Sequence, residues 1–202
     1  MQKGWLICVE GLDKSGKTTQ SRLLVEALVD MGFKAVYTSE PSSGEIGRFI
    51  KRYVLHRRRR LPAAVEALLF AADRVDHIER EVKPMLDEGK IVVLDRYLYS
   101  SLAYQGAAGL DLKWIMEINK MAPKPDLAIY LDVPVEVIMM RIQKRQRRSI
   151  MESLETQLKV REIYLKLVKE GYLLLIDGNR SIEEVSQDIQ RIAVETLRLK
   201  RE

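Results

Sequence analysis

The segment Gly11-Leu12-Asp13-Lys14-Ser15-Gly16-Lys17-Thr18 carries the clearest chemistry in the chain. It fits G-x-x-x-x-G-K-[ST] at every constrained position, a pattern suited to gripping polyphosphate. Gly11 and Gly16 let the backbone curl until successive N–H groups face inward as an anion nest. A helix opening at Lys17 adds unpaired N–H donors and the positive end of its dipole. Lys17 can reach β- and γ-phosphates, and the Thr18 hydroxyl suits Mg²⁺. Gly11, Leu12, Asp13, Lys14, Ser15, Gly16, Lys17, Thr18 and Thr19 are therefore the expected set for a nucleoside triphosphate. The loop does not say what receives the phosphate.

Further charges fit the same reaction class. Asp95 and Arg96 close the apolar run Ile91–Asp95. A carboxylate there can hold Mg²⁺ through water, and the neighbouring guanidinium can grip a second phosphate with two parallel hydrogen bonds. The basic group Arg141, Lys144, Arg145, Arg147 and Arg148 reads as a mobile lid over about 141–152, closing on ATP and excluding water. The expected catalytic cations are Lys17, Arg96, Arg145, Arg148 and Lys14; Thr18 and Asp95 are the expected metal holders. No histidine or activated serine is required, because an acceptor phosphate is already anionic near neutral pH. His77 is read as a surface or helix-face residue, Cys8 as a small core residue, and Arg57–Arg60 as an exposed run.

These groups need strands and helices to hold them. Short apolar runs predict strands at Trp5–Val9, Lys34–Ser39, Ile91–Asp95, Leu127–Leu131 and Tyr172–Ile176. Helical periodicity covers Lys17–Met31, with Leu24, Leu28 and Met31 on one stripe, then Glu45–Leu55 and Pro62–Asp87, where Pro84 predicts a kink. Leu112–Met121, Val135–Lys144, Met151–Glu170 and Ile182–Lys200 follow as helices. Strands alternating with helices imply right-handed βαβ units and a doubly wound parallel α/β sheet. Such sheets bind ligands at the carboxyl ends of their strands.

Composition bounds the rest. The 202 residues are 47% apolar and 31% charged, with a net charge of +5. One domain over 1–202 is expected, of globular, soluble type. The longest apolar run, Ala67–Ala72, is far below the ~20 residues that span a bilayer. No export leader is expected, and a single cysteine excludes an internal disulfide and a clustered-thiol zinc site. A reducing cytoplasm is the expected location.

The nucleotide-loop classes narrow in turn. A GTPase wants Asn/Thr-Lys-x-Asp, and Asn119-Lys120-Met121-Ala122 begins correctly and then fails. A transporter ATPase signature is absent, and a motor or RecA-type core calls for a longer chain. A small kinase remains.

Five segments in order resemble the thymidylate kinase family. They are Val9-Glu10-Gly11-Leu12-Asp13 with Thr18-Thr19-Gln20; Glu40-Pro41 with Ile46-Gly47; Leu68 to Arg74; Asp95-Arg96-Tyr97 through Ser100 to Gly106; and Pro125-Asp126-Leu127 with Tyr130 to Pro134. The resemblance implies a P-loop NTPase fold, a five-stranded parallel sheet flanked by helices with a small lid. It also implies a homodimer packed through helices and transfer of the ATP γ-phosphate to dTMP with Mg²⁺. By the same resemblance Phe70 would stack on thymine and Arg74 would bond the base edge. Arg96 would hold the acceptor phosphate, and Asp13 would approach the sugar 3′-hydroxyl or the phosphate. Tyr104 would crowd the sugar 2′ position, and Ser101 and Gln105 would line the base pocket, with Glu40 and Asp95 also at the acceptor. The alternatives are another pyrimidine nucleotide or deoxynucleoside kinase of this fold and, from a different class, a nucleic-acid-binding P-loop module using Arg57–Arg60. Neither nucleic acid nor membrane is expected as a partner.

Two departures stand out. Many bacterial members read Arg-Glu-Pro-Gly-Gly-Thr where this chain reads Ser39-Glu40-Pro41-Ser42-Ser43-Gly44, and eukaryotic members place an arginine near Ser42. The phosphate duty would then fall to Arg48, Arg74 and Arg96. The family also puts its catalytic cation either in the loop or in the lid; this chain has Lys14 in one and Arg145, Arg147 and Arg148 in the other.

Overall fold

The computed structural model describes residues 4–55, 60–143 and 153–199. Five parallel strands lie in the order β2-β3-β1-β4-β5: β1 Trp5–Gly11, β2 Ala35–Ser39, β3 Ile91–Asp95, β4 Leu127–Asp132 and β5 Leu174–Asp177. The doubly wound expectation is met. Strand β1 is central because it is apolar on both faces. Leu6 and Cys8 point into one core, with Leu94, Leu102, Ile138 and Tyr164. Ile7 and Val9 point into the other, with Leu24, Leu28, Ile189 and Ala193. Fully burying one such side chain contributes roughly 1.5–3 kcal/mol.

Two helices, α1 Lys17–Asp30 and α9 Ile182–Leu199, pack together on the second core's face. On the other face lie α3 Ala63–His77, α5 Leu98–Ala107, α7 Val135–Gln143 and α8 Leu154–Lys169, with α6 Leu112–Ile118 against α5. Helix α2, Glu45–Phe49, runs on through a wider π-type turn at Ile50–Val54. Helix α3 does the same at Ile78–Val82 before α4, Lys83–Asp87. Pro84, where a kink is expected, stands at the start of α4 just after this wider turn. The turn widens one turn ahead of Pro84 and absorbs the donor that proline lacks, so the helix continues.

The corrections are local. Met31 leaves the α1 stripe: it caps the helix and is exposed, while Leu24 and Leu28 are buried. The fifth strand begins at Leu174, two residues later than its apolar run. Helix α5 was not legible as a period, because Leu-Tyr-Ser-Ser-Leu-Ala-Tyr-Gln-Gly-Ala mixes weak helix formers and buries nearly every side chain.

Register places the chemistry. Ser39 pairs with Asp95, Val9 with Asp95, and Gly11 with Leu131, so the strands end along one edge. The residues that follow them, Asp13–Thr18, Glu40 and Arg96, therefore meet there.

Candidate active site

The loop after β1 turns back under glycine control. Gly16 has φ +100°, and a Cβ on Gly11, at φ +155°, would sit 2.6 Å from Ser15 Oγ. Lys14 and Arg96 are the non-glycine residues with left-handed φ, at 65° and 69° among the described residues, and both border the same cavity. That cavity, about 530 Å³, is walled by the loop (Asp13, Lys14 and Gly16 to Thr19), by Tyr37 and Ser39 to Pro41, by Lys51 and by Asp95 and Arg96.

Lys17 is buried, and its ammonium donates to Leu12 O at 2.6 Å. Burial, with the Arg96 charge beside it, pulls its pKa down to about 8, against Asp95, Asp13 and Glu10. The Thr18 hydroxyl donates to Asp95 Oδ2, which also accepts from the Tyr37 hydroxyl at 3.3 Å. One hydroxyl and one carboxylate side by side are a hard-oxygen donor set of the kind that Mg²⁺ takes, leaving further positions to water and phosphate.

Arg96 is seated from several sides. Its Nη2 bonds Asp13 Oδ1 and, at 3.4 Å, the Tyr104 hydroxyl. Its Nη1 donates to Ser100 Oγ at 3.1 Å, and the guanidinium lies 5.1 Å from the Tyr104 ring centre. The Tyr104 hydroxyl in turn accepts the Asp13 N–H at 3.1 Å.

Behind this lies Glu10, whose importance sequence reasoning missed. It is fully buried and caps α5 from another strand, accepting N–H bonds from Tyr97 (2.8 Å) and Ser100 (3.1 Å) and hydroxyl bonds from Ser100 and Tyr164. Burial pushes its carboxyl up, opposed by those bonds and by Arg96. The turn bearing Asp95 and Arg96 is thus tied to the nucleotide-loop strand. No capping signature in the local sequence announces this, since the cap comes from a residue 87 positions away.

Arg74, Ser101, Tyr104 and Gln105 are buried and do not line the cavity: Arg74 and Tyr104 touch its wall through Glu40 and through Arg96 and Asp13, and Ser101 reaches it through Arg74. Arg74 donates from Nε (2.8 Å) and Nη2 (2.7 Å) to Glu40 Oε2, and from Nη1 to Ser101 Oγ (3.2 Å) and Asn119 Oδ1. Asn119, met earlier as the start of a failed guanine motif, is in fact an anchor for Arg74. Phe70, one turn before Arg74, is half-buried against the first core.

The Ser42 departure has a structural role. Ser42 N and Oγ bond the Asp73 carboxylate at 2.8 and 2.6 Å, pinning the turn to α3. Gly47 sits so close that a Cβ would lie 2.2 Å from Ser42 O. Arg48 donates to Ser43 O and does not line the cavity; Lys51, unassigned from sequence, does.

Two expectations about basic residues change. Arg60, read within an exposed run, is partly buried and pairs with the buried Glu66 at 2.5 Å. His77 is not at the surface: it is 2% exposed and faces Thr38 and Glu40. Arg57–Arg59 and the lid residues Lys144, Arg145, Arg147 and Arg148 lie outside the described residues. Arg141, in α7, donates to Lys14 O at 3.0 Å.

Known proteins agree with this geometry. The family model described as thymidylate kinase matches residues 9–189. The chain is 44% identical over 193 residues to a protein of Pyrococcus horikoshii named "Probable thymidylate kinase", covering 93% of this chain and 94% of that one. A protein of the same name from Pyrococcus abyssi is 46% identical over 193 residues, with the same coverage. One from Pyrobaculum aerophilum is 44% identical over 196 residues, 96% of this chain and 98% of that one. By a match that runs from the first strand into the last helix and by relatives alike over nearly their whole length, the chain belongs to the thymidylate kinase family.

Proposed function

We propose that the protein transfers the γ-phosphoryl group of ATP to the phosphate of dTMP, giving dTDP and ADP. The observation that carries this reading is one cavity whose wall holds both the nucleotide loop and the Arg96–Asp13 pair. Two anionic ligands can thus approach each other within it. The loop amides and Lys17 take the ATP phosphates, and Arg96 holds the acceptor phosphate. Tyr104 and Asp13 orient the sugar; Arg74, Ser101, Gln105 and Phe70 take the base, with Glu40 fixing Arg74. The acceptor oxygen is already a nucleophile, so these residues orient it, neutralise charge and exclude water.

Mg²⁺ would be held by Thr18 and Asp95, and when bound it neutralises developing phosphate charge. An ADP-release assay with dTMP, dUMP, dCMP and thymidine tests the acceptor. dTMP should be strongly preferred, and turnover of thymidine in place of every monophosphate would overturn the reading. Steep loss of oligonucleotide binding with salt would instead support a nucleic-acid module.

The lid arginines Arg145 and Arg148 supply the cation on the transferring group, because a guanidinium spans two oxygens where the Lys14 ammonium meets them as a point. Arg141 on Lys14 O supports this, since α7, the helix leading to them, ends against the loop. The Arg145→Ala/Arg148→Ala pair should lose about 10²–10³-fold in turnover, and Lys14→Ala less than tenfold. The opposite order would overturn the assignment.

The expected homodimer packed through helices would use α3, in a protein of the cytoplasm. Val65, Leu68 and Val75 are exposed on α3, and Leu68, Ala72, Val75 and Ile118 line a shallow apolar groove. Light scattering should give twice the chain mass, and Leu68→Glu should halve it. No helix among the described residues is long and apolar enough to cross a membrane.

A further inference from the structure

One buried residue beside the Glu40–Arg74 pair, His77, has no part in the mechanism above. His77 ends α3, and its Nε2 lies 2.9 Å from Thr38 Oγ1 on β2. Its Nδ1 lies 3.5 Å from Glu40 Oε1. Both atoms are fully buried, and neither has a hydrogen-bond partner within ordinary geometry among the described residues. The other oxygen of that carboxylate, Oε2, receives both Nε and Nη2 of Arg74. Glu40 is therefore gripped on one oxygen by a guanidinium and faced on the other by an imidazole.

The charges around His77 favour a proton on it. Glu40 faces it from the turn after β2, Glu81 lies 3.6 Å from Nε2 on the helical extension, and Asp73 stands one turn back on α3. Arg74 answers Glu40, while Ser42 answers Asp73 only through neutral hydrogen bonds. Cys8 and Tyr97 also approach the Glu40–Arg74 pair, and burial keeps both protonated. Burial opposes a charge on the imidazole, but the three carboxylates outweigh it and hold its pKa above the ordinary 6.5. A buried carboxylate oxygen facing an unpartnered ring nitrogen is completed when that nitrogen carries hydrogen.

We propose that His77 is a positioning residue for the acceptor: its imidazolium holds Glu40 Oε1, so that Glu40 fixes Arg74 along α5 and Asn119 in the orientation that receives dTMP. The inference rests on the reading of Arg74 as an acceptor contact. The sign follows from the charges. Protonated His77 locks the carboxylate and adds a positive charge beneath a site for an anion. Loss of that proton removes the positive charge facing Oε1, whichever ring nitrogen keeps its hydrogen, and leaves more negative charge there. Acceptor affinity should thus be full at lower pH and fall as pH rises through the His77 pKa. Binding of dTMP must raise that pKa by the same factor.

The test is dTMP binding by calorimetry without ATP, from pH 6.5 to 9.5, on the wild-type protein and on His77→Asn. Lys17, in the same cavity, titrates at about 8 with or without ATP, so the reading is the difference between the two proteins, and the lower limit stays above the phosphate's own titration at about 6. Wild-type Kd should rise about 3–10-fold more across the range than that of His77→Asn, which should be the weaker binder at pH 6.5. Turnover at saturating dTMP should hardly change. The chain has two histidines, so imidazole NMR on the wild-type protein follows His77 directly, whether or not the variant folds. Its pKa should rise by about 0.5–1 on saturation with dTMP, the equivalent of that affinity ratio. A His77 pKa indifferent to bound dTMP overturns the proposal while leaving the acceptor assignment intact. Failure of the wild-type protein to bind dTMP at any pH overturns the acceptor assignment and takes this inference with it.

Discussion

Lys17→Ala should lose about 10³-fold or more in turnover while melting no lower than the wild type. The ammonium is buried and donates to Leu12 O. Burial makes its charge costly there, which is why its pKa falls from 10.5 to about 8. A lysine whose folded value is depressed in this way destabilises the fold wherever the unfolded chain stays protonated. The contribution is unfavourable below about 8 and is relieved as pH rises from there toward 10.5. Removing the side chain removes that penalty. ATP reverses the balance, because its β- and γ-phosphates are what the charge is there to meet. Binding of ATP to the wild-type protein should level off between the phosphate's own titration and about pH 8 and weaken above it, by up to about tenfold per pH unit. Calorimetric titration with ATP and thermal melting of both proteins check the two halves. A variant that turns over within tenfold of wild type, or that melts several degrees lower, would show that Lys17 serves the fold and not the phosphate.

The legible parts of the molecule were those where local pattern and global role coincide. Gly11, Gly16, Lys17 and Thr18 are specified by backbone curl and phosphate chemistry together, so eight residues announce a site. The buried strands β1 and β3 were equally clear, since an apolar run ending in Asp95 has few other uses in a sheet covered on both faces. Illegible were the contacts made across the fold. Glu10 looks like an ordinary residue beside a glycine, and only the approach of α5 makes it a cap. His77 reads as a helix-face residue because its helical neighbours are polar, whereas β2 and the turn after it cover that face with Thr38 and Glu40. Asn119 was noticed for a guanine motif it does not complete, and its use, holding Arg74 across 45 residues, has no sequence signal. Helix α5 escaped for a related reason: a helix buried on most sides has no polar stripe to give it a period.

Arg96 separates function from fold more sharply than any other residue here. It adopts φ +69°, where a side chain costs about 1–2 kcal/mol, and it does so with its guanidinium spread over Asp13, Ser100, Gly11 O and the Tyr104 ring. The strain aims the fork into the cavity, at the point where an acceptor phosphate would lie between Asp13 and the nucleotide loop. Arg96→Ala and Arg96→Gly should therefore both lose about 10³-fold or more in kcat/KM for dTMP. Their stabilities should part: glycine tolerates the left-handed backbone, so the Gly variant should be the more stable by about 1 kcal/mol. Arg96→Lys should recover little, because an ammonium cannot bond Asp13, Ser100 and a phosphate in one plane. Urea denaturation and steady-state kinetics on the three variants read both quantities. Equal stability of the Gly and Ala variants would mean that the backbone relaxes without the guanidinium. Restoration of kcat/KM by lysine to within tenfold of wild type would mean that charge alone, and not the planar fork, is what the acceptor requires.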